Sequence, residues 1–169
     1  MYIEDQVAFL KSISKEVLKL VKLRLFIHDY GWFIKQRLED AGLGMIIDKD
    51  RRPYNQVLNE SRLSISTYNG TTFLETLAGN FPTLIFWNPK YWEIRPVAKP
   101  FYDELQKAGV LHYNSKSATQ KLNEIYDDPL TWWQQPEIQT AKDVFCQEFA
   151  LTSQNSMEEW KIELQSLVI

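Results

Sequence analysis

Seven residues, Phe81-Pro-Thr-Leu-Ile-Phe-Trp87, leave little choice of architecture. The run is apolar at nearly every position and ends at Asn88-Pro89, so it reads as a strand with both faces out of water. Such a strand belongs in a parallel sheet covered by helices, because each parallel crossover needs a long connection to carry the chain back. The flanking sequence supplies those connections. TTFLETLAGN (71–80) has helical period and stops near Gly79-Asn80, while RPVAKPFYDELQKAG (95–109) has a proline-marked start and a Gly109 stop.

The same alternation extends in both directions. Ile3, Val7, Leu10, Ile13, Val17 and Leu18 recur at helical spacing and predict a helix from Ile3 to about Leu20. VKLRLFI (21–27), LGMIID (43–48), RLSIST (62–67) and VLHYN (110–114) read as further strands. Between them, WFIKQRLEDAG (32–42) ends on a C-capping Gly42, and PYNQVLNES (53–61) opens on Pro53, which suits a first helical turn. Ser115 or Ser117 is expected to cap SATQKLNEIYDD (117–128), and the tail from about residue 130 to 169 reads as helices folding back over the sheet. The prediction is one α/β domain over residues 1–169: an open, Rossmann-like, mainly parallel sheet of about five strands, helices on both faces, and a helical C-terminal tail.

Composition narrows the function classes. With 169 residues and 44% hydrophobic content, the chain has material for one core of ordinary size. A net charge of −3 with dispersed Lys and Arg gives no electrostatic footprint for nucleic acid. A single cysteine, Cys146, excludes an intrachain disulfide and any multi-thiolate metal site and suits a reducing compartment, so the expected location is cytoplasmic. No apolar run is long enough to span a bilayer, a pattern that still allows peripheral membrane association. No HExxH or Cys/His spacing marks a metal site, and neither GxGxxG nor GxxxxGK[ST] is present, so no metal and no cofactor is expected.

The chemistry-bearing stretch is STYNGTTFLE (66–75), between the third predicted strand and the helix that leads into Phe81–Trp87. Loops at the carboxyl ends of parallel strands line the crevice of such a sheet, and a helix starting there presents unpaired amides and a positive dipole end. Asn69, Gly70, Thr71 and Thr72 fit a phosphate or diphosphate: glycine allows close backbone approach and the hydroxyls add donors. Glu75, one turn deeper, can accept paired hydrogen bonds from vicinal hydroxyls. The plainer alternative makes Thr71 an N-cap, Glu75 a near-capping-box acid and Gly70 a turn residue.

RLSISTYNGTTFLETLAGNFPTLIFWNP resembles the nucleotide-sugar-binding segment of GT-B glycosyltransferases, which also runs strand, small-residue elbow, Glu-bearing helix, buried strand. With KLRLFIHDYGW, KPFYDELQKAGVLHYNS, DPLTWW and DVFCQEFA, the chain from about Leu20 to Ala150 is similar to the C-terminal part of transferases of O-antigen and surface-polysaccharide clusters. The resemblance implies a nucleotide sugar as donor substrate, its phosphates on Asn69–Thr72 and its hydroxyls on Glu75. It places Arg24 toward the leaving diphosphate, with a surface ion pair as the alternative. It also implies an acceptor-binding half as partner, without which one domain cannot bring two substrates together.

Other candidates follow from position. His28 and Asp29 lie in the loop after the first predicted strand, where capping a turn is the competing role. Trp87 and Asn88, with Tyr91, Trp92 and Arg95, follow the buried strand, where an aromatic face can stack on a base or sugar or simply close the core. Asn114 and Ser115 edge the same end. Arg62 and His112 are expected to be structural, and Trp132 and Trp133 to pack the terminal helices. Three readings stand: a donor-binding transferase half, a non-catalytic assembly module built on that fold, and a different α/β enzyme, for which the needed acidic cluster or GxSxG elbow is missing.

Overall fold

The computed structural model describes residues 2–26, 28–50, 52–153 and 155–167. Three parallel strands, β1 (Ser64–Ser66), β2 (Thr83–Phe86) and β3 (Leu111–His112), form an open sheet in the order β1-β2-β3. Ser64, Ile65 and Ser66 pair with Thr83, Leu84 and Ile85, and Ile85 and Phe86 pair with Leu111 and His112. The helices are α1 (Tyr2–Ser12), α2 (Lys15–Leu18), α3 (Ile34–Asp40), α4 (Tyr54–Asn59), α5 (Thr71–Ala78), α6 (Lys99–Lys107), α7 (Ser115–Ile125), α8 (Pro129–Trp133), α9 (Pro136–Phe149) and α10 (Ser156–Ser166). No described helix is long and apolar enough to cross a membrane.

The nearly all-apolar run at 81–87 sits where its composition requires. Leu84, Ile85, Phe86 and Trp87 are all buried, with α5, α6 and α9 on one face and α1 and α7 on the other. Phe86 meets Phe9 of α1 at 4.5 Å, and its neighbour Trp87 meets Phe73 of α5 at 5.9 Å and Tyr102 of α6 at 5.8 Å. Successive side chains of a strand point to opposite faces, so one hydrophobic run serves both layers.

Two of the predicted strands do not form. Segment 21–27 is reduced to one parallel bridge, in which Leu23 donates to Ile46 O (2.8 Å) and accepts from Asp48 N (2.8 Å); Ile27 lies outside the described residues. In segment 43–48, Gly44–Ile46 form a 3-10 turn instead. Leu43 and Ile46 of this segment are nonetheless buried, so burial of apolar side chains, not ladder pairing, is what these residues satisfy. The sheet therefore has three strands rather than five.

Boundaries shift for local reasons. The first predicted helix breaks after Ser12, whose Oγ donates to Ala8 O at 2.8 Å, and restarts at Lys15 because Ser14 Oγ accepts from Val17 N at 3.2 Å. Asn80, at φ 50°, stops α5, and Phe81 N donates back to Thr76 O (2.9 Å). The cap of α7 is Asn114, which accepts from Ser117 N at 2.9 Å, in place of either serine. Arg62 donates to the Tyr126 and Asp127 carbonyls past the end of α7. Trp132 and Trp133 are buried, and the Trp133 indole donates to Asn80 Oδ1 at 2.9 Å. Helices α8 and α9 fold back as expected; α10 does not, and none of its residues is buried.

His112 is structural, as expected: its Nε2–H donates to Gly109 O at 3.1 Å. Burial, more than the opposing hydrogen bond, holds its pKa below the usual 6.5. The unfolded chain then binds more protons than the folded one below pH 6.5, so stability falls as pH drops through that value. Urea melts of wild type and His112→Gln at pH 7 and pH 5 check this: the wild type is expected to lose more stability on acidification than the variant.

Candidate functional site

The site is built where β1 ends. Ser66 Oγ donates to Tyr68 O (3.3 Å) and Gly70 N donates to the same carbonyl (3.1 Å), closing a tight turn from strand to helix. Gly70 is the N-cap of α5, in extended conformation (φ −136°, ψ −176°), and no side chain caps the helix. Thr71 is thus the first helical residue and is exposed; the capping role weighed for it falls to a residue with no side chain. The first amides of α5 have no intrahelical partner and no capping side chain, the arrangement that favours an anion.

Gly70 faces something other than open space. A Cβ placed there would lie 2.1 Å from Cε2 of Tyr68. The Tyr68 ring runs along the first turn of α5 and brings its hydroxyl 3.3 Å from Thr72 Oγ1. The same ring packs on Trp92 (5.9 Å), which joins the elbow to the loop after β2. Asn69 Oδ1 accepts from the Tyr102 hydroxyl at 3.3 Å, tying the elbow to α6.

Arg24 lies beside a phenol. Tyr54, at the start of α4, has its hydroxyl 3.2 Å from Ser64 Oγ, and the Arg24 guanidinium lies 5.9 Å from its ring centroid. Burial pushes the Tyr54 pKa up; the nearby Glu75 carboxylate adds to that rise, while the Ser64 hydrogen bond and the Arg24 charge oppose it. Glu75 itself is exposed. Arg24 is held by Arg52 O (2.8 Å to Nη2) and by Asp48, whose Oδ2 stands 4.0 Å from Nε. The Asp48 side chain is 6% exposed, and its Oδ2 accepts no hydrogen bond among the described residues. Arg24 is thus engaged with Asp48, the ion-pair role weighed for it from the sequence.

Other candidates are placed elsewhere. Trp87 is 1% exposed and packed among Phe73 and Tyr102, so neither ring face is open to a base or sugar. Asn88 accepts from Lys90 N (3.0 Å) within a turn. His28 sits in an exposed aromatic cluster with Phe26 and Tyr30. Asp29 Oδ1 accepts from the Trp32 and Phe33 amides (2.9 and 3.1 Å), which makes it the clamp of its own loop. Sequence reasoning passed over Tyr54, Tyr68 and Asp48. Asp48 alone carried a signal, as the acid that closes the apolar run LGMIID.

The sequence profile of the LIC12162 family of transferases matches residues 1–164. No curated protein matches the chain. A match over nearly the whole length of an α/β chain with an open parallel sheet settles its kinship: the chain belongs to the LIC12162 family of transferases.

Proposed function

We propose that this transferase binds a nucleotide-activated sugar at the carboxyl end of β1, as the donor-binding half of a GT-B-type sugar transferase of surface-carbohydrate biosynthesis. The observation that carries the reading is the uncapped N-terminus of α5 at the carboxyl end of β1, with Thr71 and Glu75 exposed on its first turns. The amides of α5 with Thr71 and Thr72 hold the diphosphate. Arg24 neutralises the charge that grows on the leaving group, a role in which a pre-placed guanidinium contributes most in the transition state. Glu75 accepts from donor hydroxyls. Tyr68 has to leave the first turn of α5 before a diphosphate reaches it. On this reading the Leu23–Ile47 bridge is the remnant of two further sheet strands, residues 1–169 act as one domain, and the acceptor half is a partner.

Calorimetric titration of the chain with UDP-, CDP- and GDP-sugars tests this. Binding to one donor class is expected, weakened about tenfold or more in Glu75→Gln and in Thr71→Ala, because each hydrogen bond to a charged group contributes about 1.5–3 kcal/mol. Both residues are exposed and neither caps the helix, so thermal unfolding should hardly move. No heat with any donor would sink the proposal. That result would favour an assembly module, a reading supported by the exposed stripe Met157, Trp160, Leu164 and Leu167 on and just past α10.

A further inference from the structure

One dipeptide of the elbow carries chemistry of its own. Asn69-Gly70 is the single Asn-Gly pair of the sequence. Glycine has no Cβ to shield its amide nitrogen, so that nitrogen can reach the side-chain carbonyl carbon of the asparagine before it. Gly70 N gives up its proton to hydroxide and attacks Asn69 Cγ. A C–N bond forms and closes a five-membered succinimide, while the bond from Cγ to Nδ2 breaks and that nitrogen, protonated by water, leaves as ammonia. Water then opens the ring at either carbonyl and leaves aspartate or isoaspartate. The balance is one water consumed and one ammonia released, with no change of oxidation state.

The folded elbow holds the two reacting atoms apart. Gly70 N donates to Tyr68 O at 3.1 Å, which closes a γ-turn on Asn69. Asn69 has a negative φ, so the turn is of the inverse kind, with ψ of about +65°. That ψ sets Asn69 Cβ on the far side of the Cα–C bond from Gly70 N, whereas ring closure needs both on the same side. The carboxamide is tethered as well: Asn69 Oδ1 accepts from the Tyr102 hydroxyl at 3.3 Å, and Tyr102 is buried against Trp87 and Phe145. The Tyr68 ring, which a Cβ on Gly70 would strike, crowds the peptide that has to rotate.

We propose that Asn69 is a deamidation site, kept latent by the closed elbow and released when the elbow opens. Conversion replaces a neutral carboxamide by a carboxylate one residue before Gly70, the N-cap of α5. The positive end of the helix dipole favours a carboxylate there, and that carboxylate repels an incoming anion. Isoaspartate also adds a methylene to the main chain within the turn. The modification stands apart from the donor reading; its effect on binding alone rests on it.

Peptide mapping by mass spectrometry, after the intact chain is incubated at alkaline pH in heavy-oxygen water, tests the proposal, since label enters where a succinimide opens during the incubation. In guanidinium chloride, Asn69 is expected to convert ahead of Asn114 and Asn155, both of which precede serines. In buffer it should convert about tenfold or more slowly than in guanidinium, because attack then waits for local opening. Tyr102→Phe keeps the ring and removes the tether. It should speed conversion of the folded chain about threefold or more, beyond any change in the global unfolding constant from urea melts, and leave the unfolded rate unchanged. No label at Asn69 in guanidinium, equal folded and unfolded rates, or a folded rate that Tyr102→Phe does not raise would each overturn the proposal. Asn69→Asp, which mimics one product, is expected to weaken donor binding about tenfold or more. Unchanged donor binding in that variant would overturn the effect assigned to the carboxylate. A wild-type chain that binds no donor defeats the donor reading, and the conversion rates still decide the modification.

Discussion

Phe145→Ala is expected to lower the unfolding free energy by about 3–5 kcal/mol, the range for emptying a buried aromatic site. Phe145 is fully buried, and its ring lies 4.9 Å from Phe149, 5.0 Å from Tyr102 and 6.1 Å from Phe73. It therefore joins α9 to both α6 and α5, and its loss leaves a cavity under the helix that starts at the elbow. Domains of this size hold about 5–15 kcal/mol in total, so the variant should unfold at much lower urea. Phe145→Leu, which keeps much of the volume, should lose clearly less; equal losses would show that the site collapses freely and that the cavity argument is wrong. Tyr102 also donates to Asn69, so the elbow should loosen along with the core.

The second large effect is expected at Gly70. Its backbone conformation is open to any residue, so the penalty of Gly70→Ala is steric alone. The new methyl would meet Cε2, Cδ2 and Cζ of Tyr68 at 2.1, 2.8 and 3.1 Å. Tyr68 is half-buried and packed on Trp92, so moving it aside gives up that packing, and a loss of about 1–3 kcal/mol is expected. The double variant Gly70→Ala/Tyr68→Ala should recover most of that loss relative to Tyr68→Ala, a coupling that a double-mutant cycle measures directly. Additive effects would show that Gly70 answers to something other than the ring. Donor binding then separates two uses of the glycine: if the double variant still binds, Gly70 serves Tyr68; if it does not, close ligand approach needs the missing side chain.

The candidate site was partly legible in the sequence. The elbow could be placed because a buried strand, a glycine-bearing turn and a helical period follow in order, and each is a local signal. Arg24 and Glu75 could be named as candidates, yet the contact of Arg24 with Tyr54 could not, since nothing local relates residues 24 and 54. Trp87 shows the opposite error. Its place after a strand suggested a ligand face, but the strand's alternation carries its ring into the layer occupied by α5 and α6. The aromatic spacing at 26–32 was visible as letters; its exposure and the Asp29 clamp were not.

From composition and periodicity came the α/β class, the helices, the central position of the 81–87 strand and the place of the elbow, because these depend on apolar spacing and backbone preference within a few residues. Tertiary structure decided that only three of the five predicted strands enter the sheet, that Tyr68 lies along the first turn of α5, and that Arg24 meets Tyr54 and Asp48. Strand pairing and side-chain convergence depend on partners far apart in the chain. An apolar run such as 43–48 gains the same burial as a turn as it would in a ladder, so its own residues do not choose between them.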